Sequence, residues 1–343
     1  SSDLVAATLA AVAYNAHIHD VIVHDSTVES TGTDVINSAS GGLVAMLSNY
    51  STIERSSFDG AVTGRQKVGG LVGWSSGSSN ILEDTYARAT VSGLTDVGGL
   101  VGRLQGGDIY ISYAAGTVSA SGDSNEAWAG GLIGYITDSN NHTISSTFAD
   151  TSISSAEEDK LLVGYTEDPS MIDWSFNYYN RDLMIDDDNT CTTGDGGLYS
   201  DGGCTGVSIN DNSDYFYNAN NMPFEDWDFG SVWHENYNDY PTLTPVRDPE
   251  ILCEAPNRTN TTVTVACEAS PQGWGTTTWE MKYGEMGSDH TTDVELDDIH
   301  HAHATIDALD PTKDYRVFFR FTNDWGTSEW GYQEFLHLED NGG

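Results

Sequence analysis

The hexapeptide VGGLVG occurs twice, letter for letter, at residues 68–73 and 97–102. Three glycines in six residues suit a phosphate-cradling loop, but such a loop is one turn between a strand and a long helix. Here the motif recurs. GGLVA begins at Gly41, GGLVG at Gly69 and Gly98, and GGLIG at Gly130; LLVG at Leu161 is a decayed copy, and TLAAVAYN from Thr8 is a degenerate earlier one. Counted from the glycine before each leucine, the steps 42 to 70, 70 to 99 and 99 to 131 are 28, 29 and 32 residues. No 3.6-residue apolar pattern lies between the copies, so a period near 30 predicts an all-β solenoid rather than a nucleotide fold.

Each repeat offers about three short strands. Leu82 leads to Tyr86, Ile109 to Tyr113 and Ile144 to Phe148, with Val91, Val118 and Ile153 each five residues further on. Strand alternation turns one set of side chains inward, and the expectation is ladders of leucine, aromatic and valine inside the coil. Six rungs at ~4.8 Å each give a rod on the order of 30 Å long. The glycines are expected at corners, where they permit φ > 0 and close approach between rungs.

VGGLVG followed by ISYAAGTVSA, DTYARATVSG and SSFDGAVTG resembles the GLUG repeat of bacterial and archaeal surface proteins, over about residues 4–245. The aromatic stretch MPFEDWDFGSVWHENYNDYPTLTP from Met222 resembles the segment that closes such arrays. The resemblance implies a right-handed parallel β-helix in a secreted, surface-attached or adhesive protein, and it implies no catalytic residues. The family's N-terminal capping region is not visible, so either Ser1 is a processing site or the cap belongs to another piece or subunit.

Composition narrows the partners. Thirteen basic residues face 53 acidic ones, a formal charge of −40. Nothing there displaces counterions from nucleic acid or favours an anionic membrane surface. Such self-repulsion calls for screening by salt or divalent ions, a halophilic pattern. No apolar run approaches the roughly 20 residues of a spanning helix. The cysteines form two local pairs without zinc spacing, Cys191 with Cys204 and Cys253 with Cys267, read as disulfides of an oxidising compartment worth roughly 3 kcal/mol each. With sequons at Asn49, Asn141, Asn257 and Asn260, the expected location is extracellular, at the cell surface.

Residues 1–171 are expected to form the solenoid, 172–246 an acidic insertion and terminal segment, and 247–343 a second domain. In the insertion, Asp186, Asp187, Asp188, Asn189, Asp195 and Asp201 suit calcium, and Asn210, Asn212 and Asp214 offer a second oxygen-rich set. The alternative is a solvated acidic loop. Beyond prolines 241, 245 and 249, strands alternate about ten residues apart. LDPTKDYRVFFRFTNDWGTS from Leu309 resembles the fibronectin type III pattern, which implies a β-sandwich over about 250–339 with Tyr315 as its corner tyrosine and Trp279 in its core. Trp274, Trp325, Trp330 and Tyr332 are candidate contact residues, for protein or glycan.

His17 and His19 share one strand face with His24 on the other parity, and His290, His300, His301 and His303 cluster later. Neither set has a completing ligand, and both read as surface histidines. Glu83, Asp84 and Arg88 share a rung, and Asp59 sits in another bend, but they do not repeat as a paired-carboxylate site. The expectation is a non-enzymatic structural or adhesion protein of a filament, associating with copies of itself and with surface glycans or proteins. A virion fibre and a polysaccharide-active β-helix enzyme are the alternatives.

Overall fold

Repeats of nearly constant length set like residues side by side, and the structure, a computed structural model, has them paired in parallel sheets. It describes residues 5–31, 38–123, 127–137, 139–155, 161–183, 191–194, 197–199, 203–236, 238–244, 250–253, 257–259, 261–270, 278–288, 290–294, 296, 302–323, 326–327 and 331–335. The chain is all-β apart from single 3-10 turns. Two units divide it, Ser1–Pro245 and Val246–Gly343.

In the first unit, Val44 pairs with Val72, Val72 with Val101, Val101 with Ile133 and Ile133 with Val163. The register therefore follows the repeat step, and the degenerate copy joins the same column, with Ala10 beside Val44. In a second sheet, strands Thr52–Thr63, Ile81–Gly93, Asp108–Ala120 and His142–Ser155 run parallel. They align Ile53, Leu82, Ile109 and Ile144 in one column and Val62, Val91, Val118 and Ile153 in another. Both columns belong to one buried core with Leu43, Leu71, Leu100, Leu132 and Leu162. Each such side chain removed from water contributes about 1.5–3 kcal/mol, and stacking makes every turn depend on its neighbours.

The aromatic column departs from expectation. Tyr86, Tyr113 and Phe148 are buried, but in a separate cluster outside the coil, while Ala87, Ala114 and Ala149 fill the inside. The cause is the corner. Asp20, Arg55, Asp84, Ile111, Ser146 and Phe176 all hold φ between 43° and 59°. A left-handed residue in mid-strand resets the alternation, so counting by twos from Leu82 no longer predicts the face of Tyr86. Glycine is absent from this corner, where side chains of every class accept the cost.

The GGLVG glycines serve a different need. A Cβ on Gly69 would lie 1.9 Å from the carbonyl oxygen of Val72, and one on Gly70 2.0 Å from that of Gly99. Their φ angles lie outside the left-handed region. Close approach of backbone requires them, and positive φ plays no part.

The acidic insertion continues the stack. Leu161–Thr166 meets Thr192–Gly194, Asn177–Asn180 pairs in parallel with Cys204–Val207, and Thr192–Gly194 turns back on Gly197–Tyr199 as an antiparallel hairpin. The Cys191–Cys204 disulfide is formed, and both cysteines are buried in the core, so it closes the last turn from within.

The second unit contains two antiparallel sheets around Val263, Val265, Trp279, Met281, Val317 and Phe319. Tyr315 is buried, and its hydroxyl accepts the Asp310 amide at 3.0 Å. Cys253 stands opposite Cys267 in the backbone register, and the expected bond between them rests on side chains the structure does not describe.

Candidate functional site

The outer aromatic column is sealed by the terminal segment of the first unit. Tyr86, Tyr113, Phe148 and Phe216 stack with ring centroids 4.9, 4.6 and 4.7 Å apart and planes within 8°. Phe224, Trp227 and Trp233 close over them, the two indoles 4.3 Å apart. Because the column faces away from the core, its burial depends on this segment.

Charged groups fasten the cover. Arg88 donates from Nε to the Tyr113 hydroxyl at 2.9 Å, from Nη1 to Asp239 at 3.2 Å and from Nη2 to the Tyr240 carbonyl at 2.8 Å. The Tyr113 hydroxyl donates in turn to the Pro241 carbonyl at 2.7 Å. Asp84 accepts the Trp233 indole N–H at 2.7 Å, and Asp150 accepts the Tyr240 hydroxyl at 2.8 Å. Trp227 donates to the Ser146 carbonyl at 3.1 Å. Burial pushes the Asp84 carboxyl up to about 6, against the Trp233 bond, which favours the ionised form.

The residues weighed for catalysis are therefore distributed over different tasks. Asp84 and Arg88 hold the cover, and Asp59 meets His24 at 2.9 Å. Glu83 stands beside Glu54 of the neighbouring turn, and burial followed by the Glu54 charge raises its carboxyl. Arg55 grips Asp20 through Nε and Nη2 at 2.8 and 3.0 Å. Burial alone would raise Asp20, but the bonds from Arg55 and His19 outweigh it and hold this carboxyl low.

His17 and His19 lie on one exposed face of their strand with rings 4.9 Å apart. His17 meets Glu54 at 3.2 Å. His290 and His303 are exposed, and His300 and His301 lie outside the described residues. His142, which the sequence did not single out, is buried with Nδ1 2.9 Å from the Gly107 carbonyl.

Of the calcium candidates, Asp186, Asp187, Asp188, Asn189, Asp195 and Asp201 lie outside the described residues. Asn210, Asn212 and Asp214 are exposed. The Asn210 amide donates to Asp182 at 2.8 Å, and Asp214 lines a cavity of about 380 Å³ with Glu235 and Asn218. Among the described residues, no group of three or more His, Cys, Asp or Glu is arranged to hold a metal. Trp274, Trp325 and Trp330 lie outside the described residues, and Tyr332 is described only by its backbone pairing with Phe318. Asn141 is exposed, and Asn49 is half-buried in a left-handed turn. Asn257 is described only as a strand residue, and Asn260 lies outside.

A lateral row was also not anticipated. Trp74, Arg103, Tyr135 and Tyr165 align on successive turns. Arg103 pairs with buried Asp96 at 2.6 Å and lies over the Tyr135 ring at 4.7 Å. Tyr135 stacks on Tyr165, and Trp128 packs against both, so neighbours occupy these ring faces.

What remains open are the two ends. The large hydrophobic side chains exposed among the described residues are Leu9, Val12, Tyr14, Tyr50, Phe176 and Leu183. The first four sit on the first two turns and the last two beside the final turns. Strands Ala10–Tyr14 and His17–His19 are edge strands. At the far end, a cavity of about 410 Å³ is lined by Trp174, Phe176, Tyr178, Gly203 and Thr205, among others.

No family model matches the chain, and no curated protein matches it. Among solved structures, the chain is similar to ChiW of Paenibacillus sp. strain FPU-7, a cell-surface-expressed multi-modular chitinase, at a TM-score of 0.21 and 12% identity. The match covers 93% of this chain and 24% of that one; at this score it carries no argument about fold or activity.

Proposed function

We propose that the protein is a secreted structural and adhesion component of a cell-surface or extracellular filament. Its first unit is a GLUG-type right-handed parallel β-helix, and its second is a fibronectin type III-like module. It acts by associating with copies of itself and by surface contact, and no catalytic residue is assigned. The observation that carries this reading is that, among the described residues, the exposed large hydrophobics fall at the two ends of the stack, at the first of which lie the edge strands Ala10–Tyr14 and His17–His19.

Further support comes from the polar residues. Asp84 and Arg88, the best candidates for hydrolytic chemistry, are bound to the molecule's own terminal segment. The buried disulfide suits an oxidising compartment. Negative-stain electron microscopy and sedimentation across a salt series test the reading. Fibres or tight oligomers are the expected result, appearing most readily at high salt where the −40 charge is screened. A protein that stays monomeric at every protein and salt concentration overturns it.

A further inference from the structure

Three strands of the first sheet lie side by side on the first turns of the stack, Ala10–Tyr14, Val44–Ser48 and Val72–Ser76. Their register sets Val12 beside Met46 and Met46 beside Trp74, and in a second row Tyr14 beside Ser48 and Ser48 beside Ser76. Val12 is 53% exposed and Tyr14 68%, while Met46 and Trp74 are half-buried. The corner after Val44–Ser48 holds Asn49 and Tyr50 at φ 44° and 55°, a conformation that bulky residues rarely adopt, and it leaves Tyr50 66% exposed at the edge of this face. The patch is free of charge. Although 19% of the chain is charged, residues 5–16, 38–53 and 68–82, which supply these strands and their corners, contain no Asp, Glu, Lys or Arg. The second sheet on the same turns carries Asp25, Glu29, Glu54, Asp59 and Glu83, none of them buried. The charges that border the patch, Lys67 and Arg103, are cations held against the rings of Trp74 and Tyr135 at 4.5 and 4.7 Å. We infer that this patch docks on the same patch of a second copy, side by side about a two-fold axis.

This rests on the self-association reading and specifies its surface and symmetry. Two molecules of charge −40 repel wherever their acidic faces meet, so contact is favoured where neither brings a charge. The centres of protein interfaces are depleted of charged residues and enriched in Tyr, Trp and Met, which are the side chains displayed here beside Val12. A neutral glycan also stacks on tyrosine, but its hydroxyls pair well with carboxylates, so it gives no reason for a face cleared of them. A two-fold contact needs only one patch, and it sets each residue near the axis opposite its own copy. Met46 stands between Val12 and Trp74 in the central row, and is placed near that axis.

Sedimentation equilibrium of the full-length protein at high salt tests the docking with Met46→Glu, Met46→Lys and, at an exposed site where folding is not at stake, Tyr14→Asp. Circular dichroism confirms that each variant folds. Each alone should weaken the wild-type dimer at least tenfold. An equimolar mixture of Met46→Glu with Met46→Lys should recover it, because opposite charges then face each other across the axis. Oligomers unaffected by Tyr14→Asp and Met46→Glu overturn the inference and leave self-association standing. Weakening without recovery in the mixture means that the patch meets a different surface, which overturns the two-fold docking. Wild-type protein that stays monomeric at every salt concentration removes both readings; loss of cellohexaose binding in Tyr14→Asp would then mark the patch as a sugar site.

Discussion

Trp233 donates its indole N–H at 2.7 Å to Asp84, across 149 residues of chain, and that carboxyl titrates near 6 because it is buried. A carboxyl whose folded pKa exceeds its unfolded value of 3.8 favours the folded state when protonated. Its contribution is complete below about pH 4 and is lost as pH rises through about 6. Asp84→Asn keeps a neutral acceptor for Trp233 and removes this loss. The variant should gain on the order of 2 kcal/mol relative to the wild type between pH 4 and pH 7, measured as a melting-temperature difference that grows across that window.

Arg88 is the most connected fastener of the terminal segment. Arg88→Met retains much of the stem but abandons Asp239, the Tyr240 carbonyl and the Tyr113 hydroxyl. A loss of about 2 kcal/mol is expected, since the Tyr240 carbonyl and the buried Tyr113 hydroxyl lose their donor while the exposed Asp239 carboxylate contributes little. Limited proteolysis should cut between residues 209 and 243 well before it cuts the repeats.

Gly70→Val should yield no folded protein. The new Cβ would sit 2.0 Å from the Gly99 carbonyl oxygen and 2.8 Å from the Ala87 Cβ, and adjacent turns cannot separate without breaking the ladder. Gly230→Ala is the matched control, because its nearest neighbour is a side-chain oxygen of Asp228 at 3.0 Å; that change should cost less than about 1 kcal/mol. Yield and far-ultraviolet circular dichroism separate the two.

Replacing Cys191 and Cys204 by serine opens a loop of 13 residues, worth about 3 kcal/mol by chain entropy. The effect should be local. Hydrogen exchange is expected to quicken in Asn177–Asn180 and Cys204–Val207, while Ile81–Gly93 keeps its protection.

The periodic part of the fold was legible because stacking repeats a requirement on every turn. Val44, Val72, Val101 and Ile133 recur where the register needs them, and the glycines recur where backbones touch. The corner was not legible, because no residue type is required there: Asp84, Ile111 and Ser146 share a φ and little else. One signal was available. Tyr86 and Val91 are five residues apart, an odd interval, so a continuous strand cannot turn both inward.

The fasteners were hidden for another reason. Arg88 and Asp239 are 151 residues apart and belong to no repeat, so neither spacing nor composition links them. The extra turn at Cys204–Val207 is unmarked in the sequence, because CTGV carries none of the repeat's features; its place is fixed by the Asn177–Asn180 backbone and by the disulfide. Six of the calcium candidates and three of the tryptophan candidates fall outside the described residues.

The clasp also bears on how the molecule would carry a load. The chain leaves the first unit just beyond Asp239–Leu243, and Arg88 anchors that strand to Ile81–Gly93, midway along the stack. Tension arriving from the C-terminal side therefore reaches the stack at its middle turns, through several bonds at once. The final turn, which could otherwise be peeled away strand by strand, is bypassed by the pull.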